Sequence, residues 1–349
     1  MRVADLTEEQ LLALIVPELP RGAATQVGPG DDAAVVAAPD GRFVVTTDVL
    51  VEDRHFRRVW SSGEDVGRRA AVQNLADVAA MGAVPTSLVV TLAVPAELDV
   101  AWVVGLARGL AAVCAPLGVG VVGGDLSGSP LVVVSVAAHG DLQGRAPVLR
   151  SGARAGDVVA HAGTLGRSAA GLALLDLDGG LGGPVTESLS GGVQGGVGQG
   201  GVGRAGSDDE AHVRLVGTFL RPSAPLDAGP DAARAGATAM LDVSDGLLRD
   251  AGRLARASGV RLDLHADALA ADVADLAEAA AVTGGDPWAW VLGGGEDHGL
   301  LATFPADAPL PAPFRPVGRV AAREGDEPDV TLDGAAPTTA PGWDHFAGR

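Results

Sequence analysis

Apolar and polar residues alternate along the chain with a period that changes several times, and each change predicts an element. Thr7 and Gln10 fit a capping box ahead of the apolar run LLALIV, which predicts a short opening helix. Two strand-like runs follow, AAVVAA and FVVTTDVLV, separated by a Pro-Asp-Gly turn. Next come helical spacing over 64–81, a strand (SLVVTLAV), a helix over 100–117 and two strands (VGVVGG and LVVVSVAAHG).

A second alternating series starts at the run DVVAHAG. A small-residue helix is predicted from Arg167, and the series resumes later with AMLDVSDGLLRDAGRLA, RLDLHA, an Ala-rich helix near Asp272 and strands near Leu301 and Val317. Strands that alternate with helices are typical of α/β domains.

A glycine-rich stretch of low complexity interrupts this second series between Asp178 and Asp208. It has almost no large apolar residues, so it buries too little surface to offset its ordering entropy, and we interpret it as a flexible insertion without a catalytic role. The overall prediction is an α/β chain of two domains, residues 1–145 and residues 146–349, and a length of 349 residues accommodates two cores.

Charge narrows the possible functions. The net charge is −19, with 44 acidic and 25 basic residues, and the chain contains no lysine. This balance disfavours nucleic acid and anionic membranes as partners. A Walker-A loop and a protein-kinase β3 site each need lysine, so both are excluded. Any nucleotide phosphates would have to be bound by metal ions, arginine and backbone amides.

The apolar stretches and the single cysteine bear on location. The longest strongly apolar stretch is taken as residues 131–138, too short to cross a bilayer, and the first residues lack the pattern of a signal peptide. A cytoplasmic protein is expected. Cys114 alone cannot form a disulfide framework or a Cys-based zinc site, and it fits a small core residue.

Five short acidic segments share one design, in which glycine or a strand precedes one or more acidic residues. They are GPGDD (28–32), TTD (46–48), NLAD (74–77), GGD (123–125) and DVSDG (242–246). Each alone is a weak signal, because an Asp beside Gly is commonly a turn residue or a helix cap. Ser244 or Asp245, for example, fits the cap of a helix that begins at Leu247.

The set carries more information than its members. Asp48 is expected at the end of one strand, Asp125 directly after another and Asp242 at the end of a third, where ligand sites of open α/β sheets gather. Carboxylates gathered in one place repel one another unless cations lie between them. Magnesium commonly binds through a few carboxylates together with nucleotide phosphates, and no run resembles an EF-hand calcium loop. The pattern therefore favours a magnesium-nucleotide site.

These segments stand in the order and spacing of the thiamine-monophosphate kinase family. The chain resembles that family in GPGDDAAVV, TTDVLVEDRHF, NLADVAAMGA, GGDLSGSPLVV, LRSGARAGD, LDVSDGL, LGGGED and GWDHF, over nearly its whole length except residues 178–208. The family belongs to a wider aminoimidazole-ribonucleotide-synthetase-like group of ATP-binding enzymes. The resemblance implies the two-domain fold of that group, with N-terminal domains that contribute strands to a homodimer interface.

The resemblance also implies roles for individual residues. Those that would hold several magnesium ions are Asp32, Thr46, Thr47, Asp48, Asp77, Asp125, Asp242 and Asp245. Those that would contact ATP are Gly124, Asp125, Arg150 and Ser244, and those that would line the thiamine-phosphate pocket are His55, Glu296 and Trp343. The catalytic group would be Asp48, Asp125 and Asp245.

The implied reaction transfers the γ-phosphate of ATP in line to thiamine monophosphate, giving thiamine diphosphate and ADP. The accepting phosphate is already largely ionised near pH 7, since its second pKa is roughly 6, so no general base is needed. Magnesium ions would offset the repulsion between the two anions, and catalysis would consist mainly of positioning and electrostatic stabilisation.

Several of these residues have a second interpretation. Arg150 offers a donor fork suited to phosphate, yet it also fits a surface arginine before a Ser-Gly turn. His55 lies in a basic cluster that either attracts an anionic substrate or forms a solvated edge. Asp297 competes with Glu296 for the role of countering the thiazolium charge. Trp343 stands where many family members carry tyrosine, so it keeps aromatic stacking without a hydroxyl.

Two rival functions remain open at this point. One is another enzyme of the same group, such as an aminoimidazole-ribonucleotide synthetase, a selenophosphate synthetase or a hydrogenase-maturation enzyme. The second and third usually carry a reactive cysteine near the N-terminus or in the tail, and here only Cys114 occurs. The other rival is a non-catalytic, acidic metal- or nucleotide-binding protein, from which ADP release would distinguish a kinase.

Overall fold

The computed structural model describes residues 1–29, 33–177, 206–325 and 327–343. Its strands are β1 (Thr25–Val27), β2 (Val35–Val36), β3 (Val44–Val51), β4 (Val84–Val94), β5 (Gly120–Gly128), β6 (Val133–Asp141), β7 (Val158–Ala162), β8 (Ala239–Val243), β9 (Val260–Leu264), β10 (Gly299–Phe304), β11 (Arg315–Ala322) and β12 (Val330–Leu332). Its α-helices are α1 (Glu8–Ile15), α2 (Gly63–Ala80), α3 (Val100–Cys114), α4 (Arg167–Leu177), α5 (Gly206–Leu220), α6 (Ala228–Arg234), α7 (Leu247–Ser258), α8 (Ala266–Asp275), α9 (Ala277–Thr283) and α10 (Pro287–Gly293).

Four strands between residues 44 and 141 form the first sheet, in the order β3-β6-β4-β5. β6 runs antiparallel to both of its neighbours, and β5 joins β4 in parallel at the far edge. The two strand-like runs around the Pro-Asp-Gly turn do not form a hairpin, because β2 pairs with β1 in a separate two-stranded ribbon. β3 and β5 therefore lie at opposite edges of the sheet.

Helices α2 and α3 cover one face of this sheet and fill its core with small and branched side chains. Ser62 caps α2 by accepting a hydrogen bond from the Asp65 amide, and Val66 and Leu75 are buried as the helical spacing predicts. Glycines allow the two helix backbones to touch: a Cβ at Gly67 would lie 2.1 Å from the carbonyl oxygen of Leu106. The helix that carries the NLAD segment is thus held rigidly against the sheet.

The opposite face of the first sheet stays open in the described part of the chain. Along β3, Val45 is 58% exposed and Val49 is 45% exposed, while Leu50 between sheet and helices is buried. Phe43, just before the strand, is exposed as well. We call Phe43, Val45 and Val49 the outer face of the first sheet.

Six strands form the second sheet, in the order β12-β9-β11-β7-β10-β8. Its neighbours are antiparallel except for the parallel pair β9 and β12. One large core packs α4, α5, α7, α8 and α10 against this sheet, and Trp60 from the first part of the chain is buried within it. An ion pair between Arg221, just after α5, and Asp65 of α2 has its nitrogen and oxygen 2.8 Å apart.

The mixed helix and strand content around two sheets confirms the predicted α/β class. The proposed division at residues 145/146 falls between the last strand of the first sheet and the first strand of the second. The glycine-rich stretch lies mainly outside the described residues, but its end is not a loop, because α5 begins at Gly206. Helices α6 and α10 are each only seven residues long, so the periodicity of their apolar residues is too weak to predict them from the sequence.

One expectation about apolar stretches was wrong. Residues 131–138 are not the longest such stretch: the helical segment Val100–Leu117 spans 18 residues with a mean hydropathy of 1.8, long and apolar enough to cross a membrane. Val103, Leu106 and Leu110 of this segment are buried in the core beside α2. These three side chains thus belong to the core of the first sheet.

Candidate active site

Two carboxylates of the first domain face each other between β3 and α2. Thr46 on β3 donates a hydrogen bond to the Asp77 carboxylate on α2, with oxygens 2.7 Å apart. The Asp48 amide donates to the side-chain oxygen of Asn74 at 3.0 Å. These contacts hold Asp48 and Asp77 at the junction of strand and helix, because α2 packs across β3.

The second domain brings further acidic residues to the same place. Asp242, buried on β8, and Asp245, just after that strand, act electrostatically on Asp48. Burial raises the pKa of Asp48, and Asp242 and Asp245 raise it further. Burial also raises the pKa of Asp77 to about 7, with an added contribution from Asp242. Four predicted metal ligands from both domains therefore share one acidic site.

A buried histidine lies among these carboxylates. Burial alone would lower the pKa of His298, but Asp242 and Glu296 raise it to about 10. Its Nδ1 lies 3.8 Å from the Asp242 carboxylate and its Nε2 lies 3.6 Å from that of Glu296. His298 thus connects the acidic site to Glu296.

The DVSDG loop is held by a carboxylate that the sequence did not single out. Buried Asp250 accepts hydrogen bonds from the amides of Ser244, at 3.1 Å, and Asp245, at 2.9 Å. Arg253 pairs with both Asp245, at 2.7 Å, and Asp250, at 2.6 Å. The loop before α7 is therefore held by the Asp250 side chain of that helix. Neither Ser244 nor Asp245 caps α7, whose N-cap residue is Gly246.

The side chains of the acidic site offer oxygen donors to a metal ion. A hard divalent cation would stabilise the ionised form of buried carboxylates whose pKa values are raised. Across residues 1–29, 33–177, 206–325 and 327–343, however, no three His, Cys, Asp or Glu side chains converge into a ready-made metal centre. The chemistry of the oxygen donors fits magnesium, with phosphate oxygens and water as further ligands. Asp32 lies outside the described residues.

Thr47 lies beside Asp48 on β3, whereas Asp125 lies on β5 at the opposite edge of the first sheet. The sequence predicted Asp48 at the end of its strand and Asp125 directly after its strand, and both predictions were wrong. β3 continues to Val51 and β5 continues to Gly128, because both strands remain paired with their neighbours. With β3 and β5 at opposite edges, the two aspartates stand about 14 Å apart at three strand spacings. Thr47, exposed on β3, donates to the Val136 carbonyl oxygen. Asp48 and Asp125 therefore cannot ligate one ion within a single chain.

The residues predicted to contact ATP also lie in different places. Gly124 and Asp125 line an apolar cleft of about 760 Å³ beside α1 and α3. A Cβ at Gly124 would lie 2.0 Å from the Val90 carbonyl oxygen, so strand packing already requires this glycine. Arg150 is exposed between the two domains, and its carbonyl oxygen accepts from the Ser258 hydroxyl at 3.0 Å. The residues that line the clefts described here do not include Arg150.

A second cleft of about 760 Å³ brings together the three predicted substrate residues, His55, Glu296 and Trp343, and also Ser244. The amide of Val51 donates to Nδ1 of His55 at 2.9 Å, which orients the imidazole ring. Trp343 is 56% exposed, and its amide donates to the Asp245 carbonyl oxygen at 2.9 Å. The chain segment before Trp343 is thus attached to the loop that carries Asp245.

Glu296 and Asp297 have different surroundings in the structure. Asp297 is 2% exposed and accepts hydrogen bonds from the Thr164 hydroxyl and the Ser168 amide at the start of α4. Burial raises the pKa of Asp297 to about 6. The Glu296 side chain is 35% exposed and lines the cleft. Asp297 stabilises a helix end, and Glu296 is the carboxylate that faces the cleft.

Two tryptophans of this cleft were not predicted from the sequence, whereas Arg57 belongs to the basic cluster around His55. Trp60 and Trp290 line the cleft, and Arg57 lies over the Trp60 ring at 4.6 Å from the centroid. The only signal in the sequence is indirect: five tryptophans and no tyrosine in an otherwise aromatic-poor chain. Tryptophan faces suit a flat, positively charged ring.

Comparison with known proteins places this fold and site. A family model described as AIR synthase related protein, N-terminal domain, matches residues 30–142, which include β3, α2 and β5. The first domain is therefore of the AIR synthase related class.

Relatives over the whole length narrow the class. The thiamine-monophosphate kinase of Mycobacterium tuberculosis is 47% identical over 337 residues, covering 95% of this chain and 90% of the relative. That of Corynebacterium glutamicum is 39% identical, covering 99% and 95%. A solved structure named "AaThiL complexed with AMPPCP and TMP" is 32% identical, with a TM-score of 0.71 and coverage of 99% of both chains. The chain belongs to the thiamine-monophosphate kinase family, as its motifs indicated.

Proposed function

We propose that this protein transfers the γ-phosphate of ATP to thiamine monophosphate, giving thiamine diphosphate and ADP in thiamine diphosphate biosynthesis. One observation carries the proposal: the cleft that gathers His55, Glu296 and Trp343 also contains Ser244, two residues beyond Asp242 of the acidic site. A substrate in this cleft would extend its phosphate toward carboxylates contributed by both domains. The family relatives, which are thiamine-monophosphate kinases, support the same substrate.

The chemistry of the cleft fits the two ends of thiamine monophosphate. Trp343 presents an indole face on which a thiazolium ring would stack, and this contact is worth about 0.5–2 kcal/mol. Trp290 supplies further aromatic surface for the pyrimidine. Arg54 and Arg57 also line the cleft, and they would attract the anionic end of the substrate to an otherwise acidic protein.

In the reaction, a phosphate oxygen of thiamine monophosphate forms a bond to the γ-phosphorus of ATP. The bond from that phosphorus to the β-bridging oxygen breaks, and its electron pair leaves with ADP. Magnesium, when bound, would neutralise the phosphates and hold them in line. We assign Asp48, Asp77, Asp242 and Asp245 to hold it, assisted by Thr46, whose hydroxyl already orients the Asp77 carboxylate.

The apolar cleft beside Gly124 and Asp125 is proposed to take the nucleoside of ATP. Its walls are aliphatic side chains, among them Leu12 and Leu110, which suit a purine base. Asp125 at its border, with Asp32, would then serve a magnesium ion other than the one beside Asp48, and Thr47 is assigned to metal binding by family resemblance alone. Arg150 is assigned to the ATP phosphates by family resemblance alone.

We also propose that the protein acts as a homodimer in the cytoplasm. The outer face of the first sheet, formed by Phe43, Val45 and Val49, presents contiguous apolar side chains to solvent. Exposed apolar patches of this kind typically mark protein interfaces. A second copy of this chain that packed its own outer face there would cover them.

An ADP-release assay tests the proposed function. The protein is supplied with ATP and magnesium, and thiamine, thiamine monophosphate and aminoimidazole ribonucleotide precursors are compared. Only thiamine monophosphate should stimulate ADP release, and EDTA should abolish it. Release with the aminoimidazole precursor would indicate a different enzyme of the group, and no release with any acceptor would leave a non-catalytic binding protein.

A further inference from the structure

The negative charge of Glu296 is already compensated inside the protein. One terminal nitrogen of Arg69 lies 2.5 Å from a carboxylate oxygen of Glu296, and Nε2 of His298 lies 3.6 Å from the same oxygen. Burial alone would raise the pKa of Glu296, but Arg69 and His298 hold it below its ordinary value. Glu296 is therefore a fixed carboxylate rather than a free counter-ion that waits for a cationic substrate.

Arg69 itself depends on this partner. Its side chain is 3% exposed, and its guanidinium carbon lies 5.0 Å from the centre of the Phe219 ring. A buried guanidinium without a carboxylate is strongly unfavourable. Among the described ion pairs of Arg69, Glu296 supplies that carboxylate.

The backbone of Glu296 is held as firmly as its side chain. It adopts a left-handed conformation, with φ of 69°, which a residue with a side chain enters only at a cost. Its amide donates to the Ser244 carbonyl oxygen at 2.8 Å, and its own carbonyl oxygen accepts from the Ser168 hydroxyl at 3.1 Å. The backbone contacts fix the position from which the Glu296 side chain extends, and Arg69 fixes the position of its carboxylate.

The two partners belong to different domains. Arg69 is on α2, the helix that also carries Asn74 and Asp77, and Glu296 precedes β10 of the second sheet. Both residues line the cleft that holds His55 and Trp343. The ion pair thus joins the wall of the cleft from the first domain to the wall from the second.

We propose that Arg69 is a positioning residue for substrate binding, which holds the Glu296 carboxylate at one place and orientation in the cleft. The inference rests on the proposed function of that cleft. It assigns to Glu296 the role of a fixed hydrogen-bond acceptor for an N–H group of the substrate, with Arg69 acting through it and not on the reacting phosphates.

The experiment measures kcat and both KM values for wild type, Arg69→Met, Arg69→Lys, Glu296→Gln and the double variant Arg69→Met/Glu296→Gln. Arg69→Met should raise the KM for thiamine monophosphate about tenfold or more, the scale of a lost hydrogen bond to a charged group. The KM for ATP and kcat should change less than about threefold, because no side chain assigned to magnesium or to ATP is removed. Arg69→Lys should recover part of the loss, since it keeps the charge without the planar fork.

The double variant separates positioning from independent binding. If Arg69 acts through Glu296, the double variant should bind thiamine monophosphate no worse than the weaker single variant. Effects that multiply in the double variant would overturn the inference. If Arg69→Met does not fold, the KM values of Arg69→Lys decide the question by the same comparison.

The adjacent arginine provides a matched control. Arg68 lies on the same helix and pairs with Glu64 at 2.9 Å on the exposed surface. Arg68→Met should leave both KM values unchanged. Equal increases in the two KM values of Arg69→Met, with a lower unfolding midpoint, would assign Arg69 a structural role only.

Wild-type protein that fails to use thiamine monophosphate would refute the proposed function. Normal wild-type turnover, together with unchanged KM values in Arg69→Met, would refute this inference alone.

Discussion

Replacing Gly342 by alanine should detach the last described segment of the chain from the active-site loop. Gly342 has a φ of 127°, a conformation that side chains disfavour, and an added Cβ would lie 2.2 Å from the Asp245 carbonyl oxygen. Ordinary contact begins at about 3.4 Å, so the segment would have to move by about 1 Å. That movement would break the hydrogen bond from the Trp343 amide to Asp245.

The size of the effect follows from the strain. A residue forced into such a backbone region costs about 1–3 kcal/mol. If this cost is met by releasing the segment, the docked position of Trp343 becomes roughly 5- to 150-fold less populated. The KM for thiamine monophosphate should rise within that range, while the free energy of unfolding should change little, because the segment contributes few buried side chains.

Steady-state kinetics and urea unfolding measure both quantities on the same variant. Gly334→Ala is the matched control: Gly334 also has a positive φ, of 78°, but nothing lies within 4 Å of its added Cβ. It should lose stability through backbone strain and keep its KM. An unchanged KM in Gly342→Ala, or an equal increase in the control, would refute the idea that this segment holds Trp343 in the cleft.

Three further predictions concern the acidic site, a helix cap and the outer face. Asp48→Asn should lower kcat by about 100-fold or more with an unchanged circular dichroism spectrum; near-normal turnover would remove Asp48 from the metal site. The pKa of Asp297 is raised from 3.8 to about 6, so the unfolded chain ionises first as pH rises and wild type loses stability across that window. In urea unfolding between pH 4 and 7, Asp297→Asn should not show this loss of about 3 kcal/mol. If the free energies of unfolding of the variant and of wild type changed in parallel with pH, the raised pKa of Asp297 would be contradicted. Val45→Asp should convert a dimer to a monomer in sedimentation velocity, while Val282→Asp, an equally exposed change in the second domain, should not; a monomeric wild type would argue against the proposed interface.

Elements whose periodicity is strong and local could be predicted from the sequence. α2 begins at its Ser62 cap and buries Val66 and Leu75 as the helical spacing predicts, and the α/β class follows from such elements. β5 was predicted too short, because its last residues, including Asp125, stay in the sheet through parallel pairing with β4. Pairing partners lie far away in sequence, and composition alone does not reveal them.

The site shows the same division. Asp48, Asp77 and Asp242 were recognised as candidates from their motifs, and the fold brings them near one another. The separation of Asp125 depends on strand order, which the sequence does not determine. Arg69 is one of two adjacent arginines in a helix, and only the packing of α2 against the second domain distinguishes the buried one from its exposed neighbour.

Trp60 has a consequence for how the molecule unfolds. This residue precedes α2, yet its side chain is buried in the core of the second sheet. The second core is incomplete without a piece of the first half of the chain. The two halves should therefore melt together in one cooperative transition, and a fragment that starts after residue 145 should bind hydrophobic dyes through the apolar hole that Trp60 normally fills.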